Sequence, residues 1–212
     1  ANIGHTLESA GIAGFVKAVL CMQNKTIPGQ INLKTPNPDI AWNDIPFYVP
    51  SQSMPWPEPK PGEARRTAVN AFGIGGLNVH VVMDDRVTES LKTQVVVAGN
   101  PTGAVIREKN SPNDRAIAVI GMGAVLPGSL TIDAFWDLLA SGRDPKTEVP
   151  VTRWDPAIYY DPNAKGPWRS RNTRGGFITD FVYDWKKHKV APKQIANANP
   201  LQFMLLDVPE PV

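Results

Sequence analysis

The chain has 212 residues, 42% hydrophobic and 20% charged, with a formal net charge of +2. That is an ordinary globular composition, and the charge balance demands neither a nucleic acid nor an acidic membrane as partner. The single cysteine, Cys21, excludes an internal disulfide and, with only three histidines, a self-contained zinc site of the usual spacings; a reducing cytoplasm is the expected setting.

No apolar run approaches the length of a membrane span, and the first residues lack the basic start and cleavage site of a signal peptide. In chain order, Asn2-Ile3-Gly4-His5-Thr6 leads into a stretch where Ile12, Phe15, Val16, Val19 and Leu20 recur at helical spacing. This predicts a helix capped by Thr6 and running to about Met22. Its other face is small: Ala10, Gly11, Ala13, Gly14 and Ala18. Glycine costs about 1 kcal/mol against alanine inside a helix, so two of them predict close packing by another backbone. Of the 21 prolines, 13 fall in residues 27–61 and 149–167, which therefore read as extended pieces and turns, Ile31 to Leu33 and Phe47 to Val49 among them. Arg66 to Phe72 and Asn78 to Met83 predict two strands joined by the glycine-rich turn Gly73-Ile74-Gly75-Gly76.

From Asp84 to Asp114 the pattern fades, with Val95 to Val97 isolated between breakers, and a linker is expected. A new unit starts at Arg115. Ala116-Ile117-Ala118-Val119-Ile120 is the continuous apolar run of a strand buried on both faces. Thr131 caps a predicted helix to Ser141 whose core side is Phe135, Trp136, Leu138 and Leu139, and Pro192 to Asp207 predicts one more, stopped by Pro209 and Pro211.

Several residues invite chemistry. Gly121 and Gly123 follow the apolar run as a dinucleotide fingerprint would, but Leu126 replaces the third glycine and Pro127 stands where the phosphate-binding helix should start. Cys21 lies in an apolar run near a helix end, a setting that raises a thiol pKa, and reads as core. The run Arg169 to Arg174 could grip a phosphate or be merely solvated. His80 alternates with apolar neighbours on a strand and reads as structural. His5, at the start of a helix, reads either as a satisfied structural histidine or as an N–H donor to a carbonyl or developing oxyanion.

Together these segments resemble the β-ketoacyl synthase (ketosynthase) domains of modular polyketide and type I fatty acid synthases. Asn2 to Thr6, Pro36-Asn37-Pro38, Arg65-Arg66 and Phe72 to His80 match motifs of the family's C-terminal half, in order. Residues 117–123, Leu126-Pro127-Gly128, Phe135 to Gly142, Arg153-Trp154-Asp155, Tyr159 to Pro162 and Arg174 to Ile178 are similar to the family's beginning. The resemblance implies the tail of one ketosynthase (1–87), a linker (88–113) and the head of a second (114–212), each an incomplete part of an α/β, thiolase-like fold. It also implies that chain is missing upstream of Ala1, and the Val208 to Val212 ending suggests a truncated or out-of-frame end.

By the same resemblance, the family joins an acyl thioester to malonyl-acyl carrier protein by decarboxylative Claisen condensation. His5 matches the second of two histidines that stabilise the enolate oxygen, and Phe72, Gly73, Ile74, Gly75 and Gly76 match a loop at the acyl pocket. Ile74 stands where many single-function ketosynthases carry a gating phenylalanine. The family's lysine would precede Ala1, and the nucleophilic cysteine and first histidine belong to segments in neither piece, which implies a fragment inactive alone. Ala124 and Val125 replace a usual Cys-Arg pair, and Asn199 to Phe203 replace an Asp-Pro-Gln-Gln-Arg pattern. No directly bound cofactor is expected; substrate would arrive on the phosphopantetheine of an acyl carrier protein. The implied partners are that carrier and a second copy, as a homodimer in the intact synthase, with no nucleic acid and no membrane. Two rival readings are a non-catalytic dimerisation or carrier-docking module, resembling a chain-length factor, and a nucleotide-binding domain around Gly121 to Gly128.

Overall fold

The computed structural model describes residues 1–86 and 117–208; the expected linker 88–113, Val95 to Val97, Ala116, and the stops at Pro209 and Pro211 lie outside the described residues. Leu7–Ser9 form one 3-10 turn that runs directly into helix α1, Ala10–Gln23. Thr6 makes no side-chain cap bond, contrary to expectation. The chain enters through two residues in the left-handed region, Gly4 (φ 76°) and Leu7 (φ 49°), and the His5 ring takes the Leu7 amide instead. The amides of Ser9 and Ala10 are satisfied by the carbonyls of Thr6 and Leu7, so the helix needs no hydroxyl cap.

The proline-rich stretch pairs only at β1, Thr26–Ile27, and β2, Met54–Pro55, which run antiparallel. Ile31 to Leu33 and Phe47 to Val49, expected as extended pieces, join no ladder. Pro28, Pro36, Pro46 and Pro50 around them withdraw backbone donors. Strands β3, Arg66–Phe72, and β4, Asn78–Asp84, form a hairpin with Arg66 opposite Asp84 and Phe72 opposite Asn78. The turn closes by Gly73 N–H to the Leu77 carbonyl (2.8 Å) and Gly76 N–H to the Gly73 carbonyl (2.9 Å). Gly76 adopts φ 87°, which glycine reaches without strain.

β3 turns Thr67, Val69 and Ala71 inward and Ala68, Asn70 and Phe72 outward. The inward row lies on the small face of α1. A Cβ on Gly11 would stand 2.8 Å from that of Ala71, and one on Gly14 would stand 3.5 Å from Val69 Cγ1. The two helix glycines are thus the contact that lets strand and helix approach, as expected from the sequence. At the foot of the hairpin, buried Arg65 donates from its backbone N–H and Nη1 to Asp85 (2.9 and 3.0 Å), with Glu58 at 2.6 Å from Nη2. Glu58, then Asp85, pushes the guanidinium pKa up, and Arg65 in turn holds the Glu58 carboxyl below its usual range.

In the second segment, residues 117–120 form no strand. Ile117 is 93% and Ile120 81% exposed, against the expectation of two-sided burial. A strand needs neighbours to satisfy its backbone, and each ladder among the described residues has two strands drawn from elsewhere. Helix α2, Ile132–Ser141, begins where expected, Thr131 Oγ1 accepting from the Ala134 amide (3.2 Å), and ends at left-handed Gly142 (φ 65°). β5, Thr147–Glu148, helix α3, Pro156–Tyr159, and β6, Arg174–Gly175, follow, with β5 and β6 antiparallel.

The predicted single helix at 192–207 is broken. α4, Trp185–His188, and α5, Pro192–Ile195, are single turns, and α6 is Pro200–Asp207. Proline cannot donate and forces its predecessor out of the helical region; Asn199 sits at ψ 128° and caps α6 by accepting from the Leu201 amide.

The two segments share one core. Val16 and Leu20 of α1 cluster with Leu126 and with Phe135, Leu138 and Leu139 of α2, flanked by Ile3, Met122, Ala124, Ile132 and Trp136. Ile12, expected inside, is 59% exposed. Polar ties fasten the N-terminal stretch to the loop after α2: Lys146 Nζ to the Ala1 carbonyl (2.9 Å), Asn2 Nδ2 to the Arg143 carbonyl (3.0 Å), and Asn32 Nδ2 to Asp144 Oδ2 (3.2 Å). Lys146, 2.6 Å from Asp144, and then Asn32 hold the Asp144 carboxyl down at about 2, against burial acting the other way. The architecture is mixed α/β with three two-stranded antiparallel sheets; the stacked mixed sheets of a thiolase-like fold are not formed among the described residues, because each extended piece finds one partner at most.

Candidate functional site

Where the two segments meet, they enclose an open cavity of about 760 Å³. One wall is the entry to α1, with His5, Leu7, Ile12 and Val16; facing it are residues 123–127, 176–178 and α6. Gly176 fixes this meeting: a Cβ there would overlap the Ile3 carbonyl, so backbone packs on backbone two residues before His5.

His5 is exposed, and its Nδ1 accepts the Leu7 N–H at 3.0 Å. An imidazole nitrogen that accepts carries no proton, so the ring's one N–H is on Nε2. Nε2 has no hydrogen-bond partner among the described residues. The left-handed Leu7 directs its amide at the ring, a conformation costing about 1–2 kcal/mol for a side chain with Cβ. The ring is thus held in one tautomer on the rim of a largely apolar space, and what it offers a ligand is an N–H. Neither acid, lysine nor cysteine lines the cavity among the described residues.

The structure does not bring Phe72, Gly73, Ile74, Gly75 and Gly76 to this cavity. They form the hairpin tip, with Phe72 74% exposed and Ile74 fully so. His80 is paired across the hairpin, its Nδ1 2.5 Å from Asn70 Oδ1. Cys21 is buried near the far end of α1, 11 residues beyond Ala10, or about 16 Å at the rise of a helix; burial pushes its thiol pKa up, as expected for a core residue. The arginine run is structural: Arg171 Nε donates to the Ala164 carbonyl (2.6 Å), Arg174 Nη2 to the Lys146 carbonyl (2.8 Å), and Arg169 to the Ile158 carbonyl. No helix of the described residues is long and apolar enough to cross a membrane, and no group of three or more potential metal ligands occurs among them.

Two parts of the site were not singled out from sequence as site residues. Leu201, Met204, Leu205 and Val208 of α6 and its cap line the cavity, and their i, i+3, i+4, i+7 spacing is the signal that carries them. Arg153 lines it too; nothing in its spacing separates it from the other surface arginines.

Family models account for nearly all of this chain. The beta-ketoacyl synthase C-terminal domain matches residues 1–34, the ketoacyl-synthetase C-terminal extension residues 36–115, and the beta-ketoacyl synthase N-terminal domain residues 114–210. The chain belongs to the β-ketoacyl synthase family, with the tail-then-head order expected from its motifs.

Among its relatives, the highly reducing polyketide synthase FUM1 of Gibberella moniliformis is 37% identical over 52% of this chain and 4% of its own length. The squalestatin hexaketide synthase of a Phoma species is 32% identical over 61% of this chain and 5% of its own. The chain therefore spans only a few per cent of the relatives it matches. Of solved structures, the ketosynthase from module 6 of the bacillaene synthase of Bacillus subtilis 168 is 39% identical over 38% of this chain and 15% of that one, with a TM-score of 0.35.

Proposed function

We propose that this chain is part of a polyketide or fatty acid synthase, comprising the C-terminal part of one ketosynthase (1–87), a linker (88–113) and the N-terminal part of a second (114–212). Each part belongs, in the intact synthase, to a thiolase-like fold. The reaction served is decarboxylative Claisen condensation: an acyl group on an enzyme thiol accepts the enolate left when malonyl-acyl carrier protein loses carbon dioxide. The substrate travels on the carrier's phosphopantetheine, and the intact synthase works as a cytoplasmic homodimer.

His5 supplies a hydrogen bond from Nε2–H to the thioester oxygen as negative charge builds there. A fixed donor is worth more to the oxyanion than to the neutral carbonyl, and that difference is what accelerates the step. The observation that carries this reading is the His5 tautomer, set by Leu7 N–H on Nδ1 with Nε2 left for the cavity. In the same reading Phe72 to Gly76 border the acyl pocket once the rest of the ketosynthase surrounds the hairpin.

The chain by itself is inactive in this proposal. Its one thiol is buried with a raised pKa, and groups that act as a unit lose nearly all activity when one is missing. Incubated with malonyl-carrier protein labelled at the free carboxyl, the purified chain is expected to release carbon dioxide at the protein-free rate. Release above that rate which disappears in His5→Ala would refute the inactivity.

A further inference from the structure

We propose that the His5 cavity binds an amphipathic anion, a linear apolar chain ending in a carboxylate or phosphate, and that Arg153 receives the anionic end. The inference deepens the reading above by giving the same cavity a ligand class. It is tested by binding without turnover, so it can fail while the condensing role stands.

Among the described arginines, Arg66 and Arg153 have no side-chain partner, and of these two only Arg153 lines the cavity. Arg65 is matched by Glu58 and Asp85, Arg86 by Asp84, and Arg169, Arg171 and Arg174 by backbone carbonyls. The Arg153 side chain has neither a hydrogen bond nor an ion pair among the described residues; only its backbone N–H is used, on the Pro150 carbonyl. It is exposed and lines the cavity, whose wall holds no carboxylate among the described residues. The guanidinium of Arg153 and the imidazole of His5 thus line the same cavity, with Thr6, Ser9 and Asn199 as its other polar side chains.

Most of the remaining wall is apolar, with Ile12, Val16, Phe177, Ile178, Leu201 and Met204. Its volume of about 760 Å³ falls in the range of sites that enclose small molecules, about 300–1,000 Å³. Charge complementarity thus selects an anion, the planar fork favours an oxyanion it can grip with two N–H groups, and the apolar walls select a hydrocarbon tail.

Calorimetry on the full 212-residue chain with decanoate, decyl phosphate and decanol, each below its micellar concentration, separates the terms. Decanoate or decyl phosphate, or both, should bind about tenfold or more tightly than decanol, the scale of a charge-assisted hydrogen bond, and which anion binds more tightly names the headgroup. Arg153→Gln should remove that advantage and leave decanol unchanged, Arg153→Lys should keep part of it, and salt at about 0.5 M should weaken the anions alone. Equal binding of decanol and both anions, or an anion advantage that survives Arg153→Gln in a folded variant, overturns the proposal, as does no binding of any probe. Should the glutamine variant fold poorly, anion binding to the unaltered chain that salt leaves untouched, or Arg153→Lys keeping none of the advantage, overturns the proposal.

Discussion

Phe135→Ala is expected to lower the stability of the chain by about 3–5 kcal/mol, the usual cost of truncating a buried aromatic. Phe135 is 2% exposed and belongs to a cluster in which α1 contributes Val16 and Leu20, and α2 contributes Leu138 and Leu139. The cavity left by the ring opens between the two segments, where neither helix can close it without giving up its other contacts. A typical domain is stable by only about 5–15 kcal/mol, so this single change consumes a large part of the total. Urea unfolding followed by circular dichroism measures it, with Ile12→Ala as the control. Ile12 is 59% exposed, and its loss should move the midpoint far less. If the two variants unfold alike, α1 and α2 do not share a core.

Gly176→Ala should destabilise by about 1–3 kcal/mol, the range for forcing atoms into a packed site. The obstacle is the Ile3 carbonyl, which occupies the space of the added methyl. The backbone there is held from behind by Asn2 on the Arg143 carbonyl and by Lys146 on the Ala1 carbonyl, so it cannot retreat freely. His5 lies two residues on, and its cavity wall includes Gly176. The variant should therefore shift the His5 imidazole resonances as well as the unfolding midpoint. Gly166→Ala is the matched control, because a Cβ there meets nothing within 4 Å, and it should stay within about 0.5 kcal/mol of the parent. A neutral Gly176→Ala would mean that the two segments do not meet at Ile3.

Local elements whose signals are self-contained were legible in the sequence. Thr131 and Gly142 bracket α2, and the glycines of residues 73–76 fix the hairpin turn. The small face of α1 announced a close neighbour without saying of what kind, and it proved to be β3 through Gly11 and Gly14. What depends on partners was not legible. The apolar run at 117–120 carries a strand's composition, yet pairing is a property of neighbours, and it pairs with none of the described strands. Thr6 looks like a cap, but whether it caps depends on the backbone route, which Gly4 and Leu7 redirect so that the His5 ring takes the role. Pro200 could have been read as the break in the last helix, since the rule that stops a helix at proline is local.

At the site, His5 was legible as a donor candidate, though not which nitrogen would donate; that choice is made by the Leu7 amide, whose direction follows from a left-handed backbone that no residue pattern announces. Arg153 was not legible as a ligand-facing group, because its distinction is its place in the cavity lining, which only the folded arrangement shows.

Nitrogen-15 NMR of the His5 ring reports directly whether the imidazole is set to donate into the cavity. At a pH where the ring is neutral, a pyrrole-type, protonated Nε2 and a pyridine-type Nδ1 coupled through the hydrogen bond to the Leu7 amide are expected. A protonated Nδ1, or a rapid mixture of both tautomers with no coupling to Leu7, would contradict it.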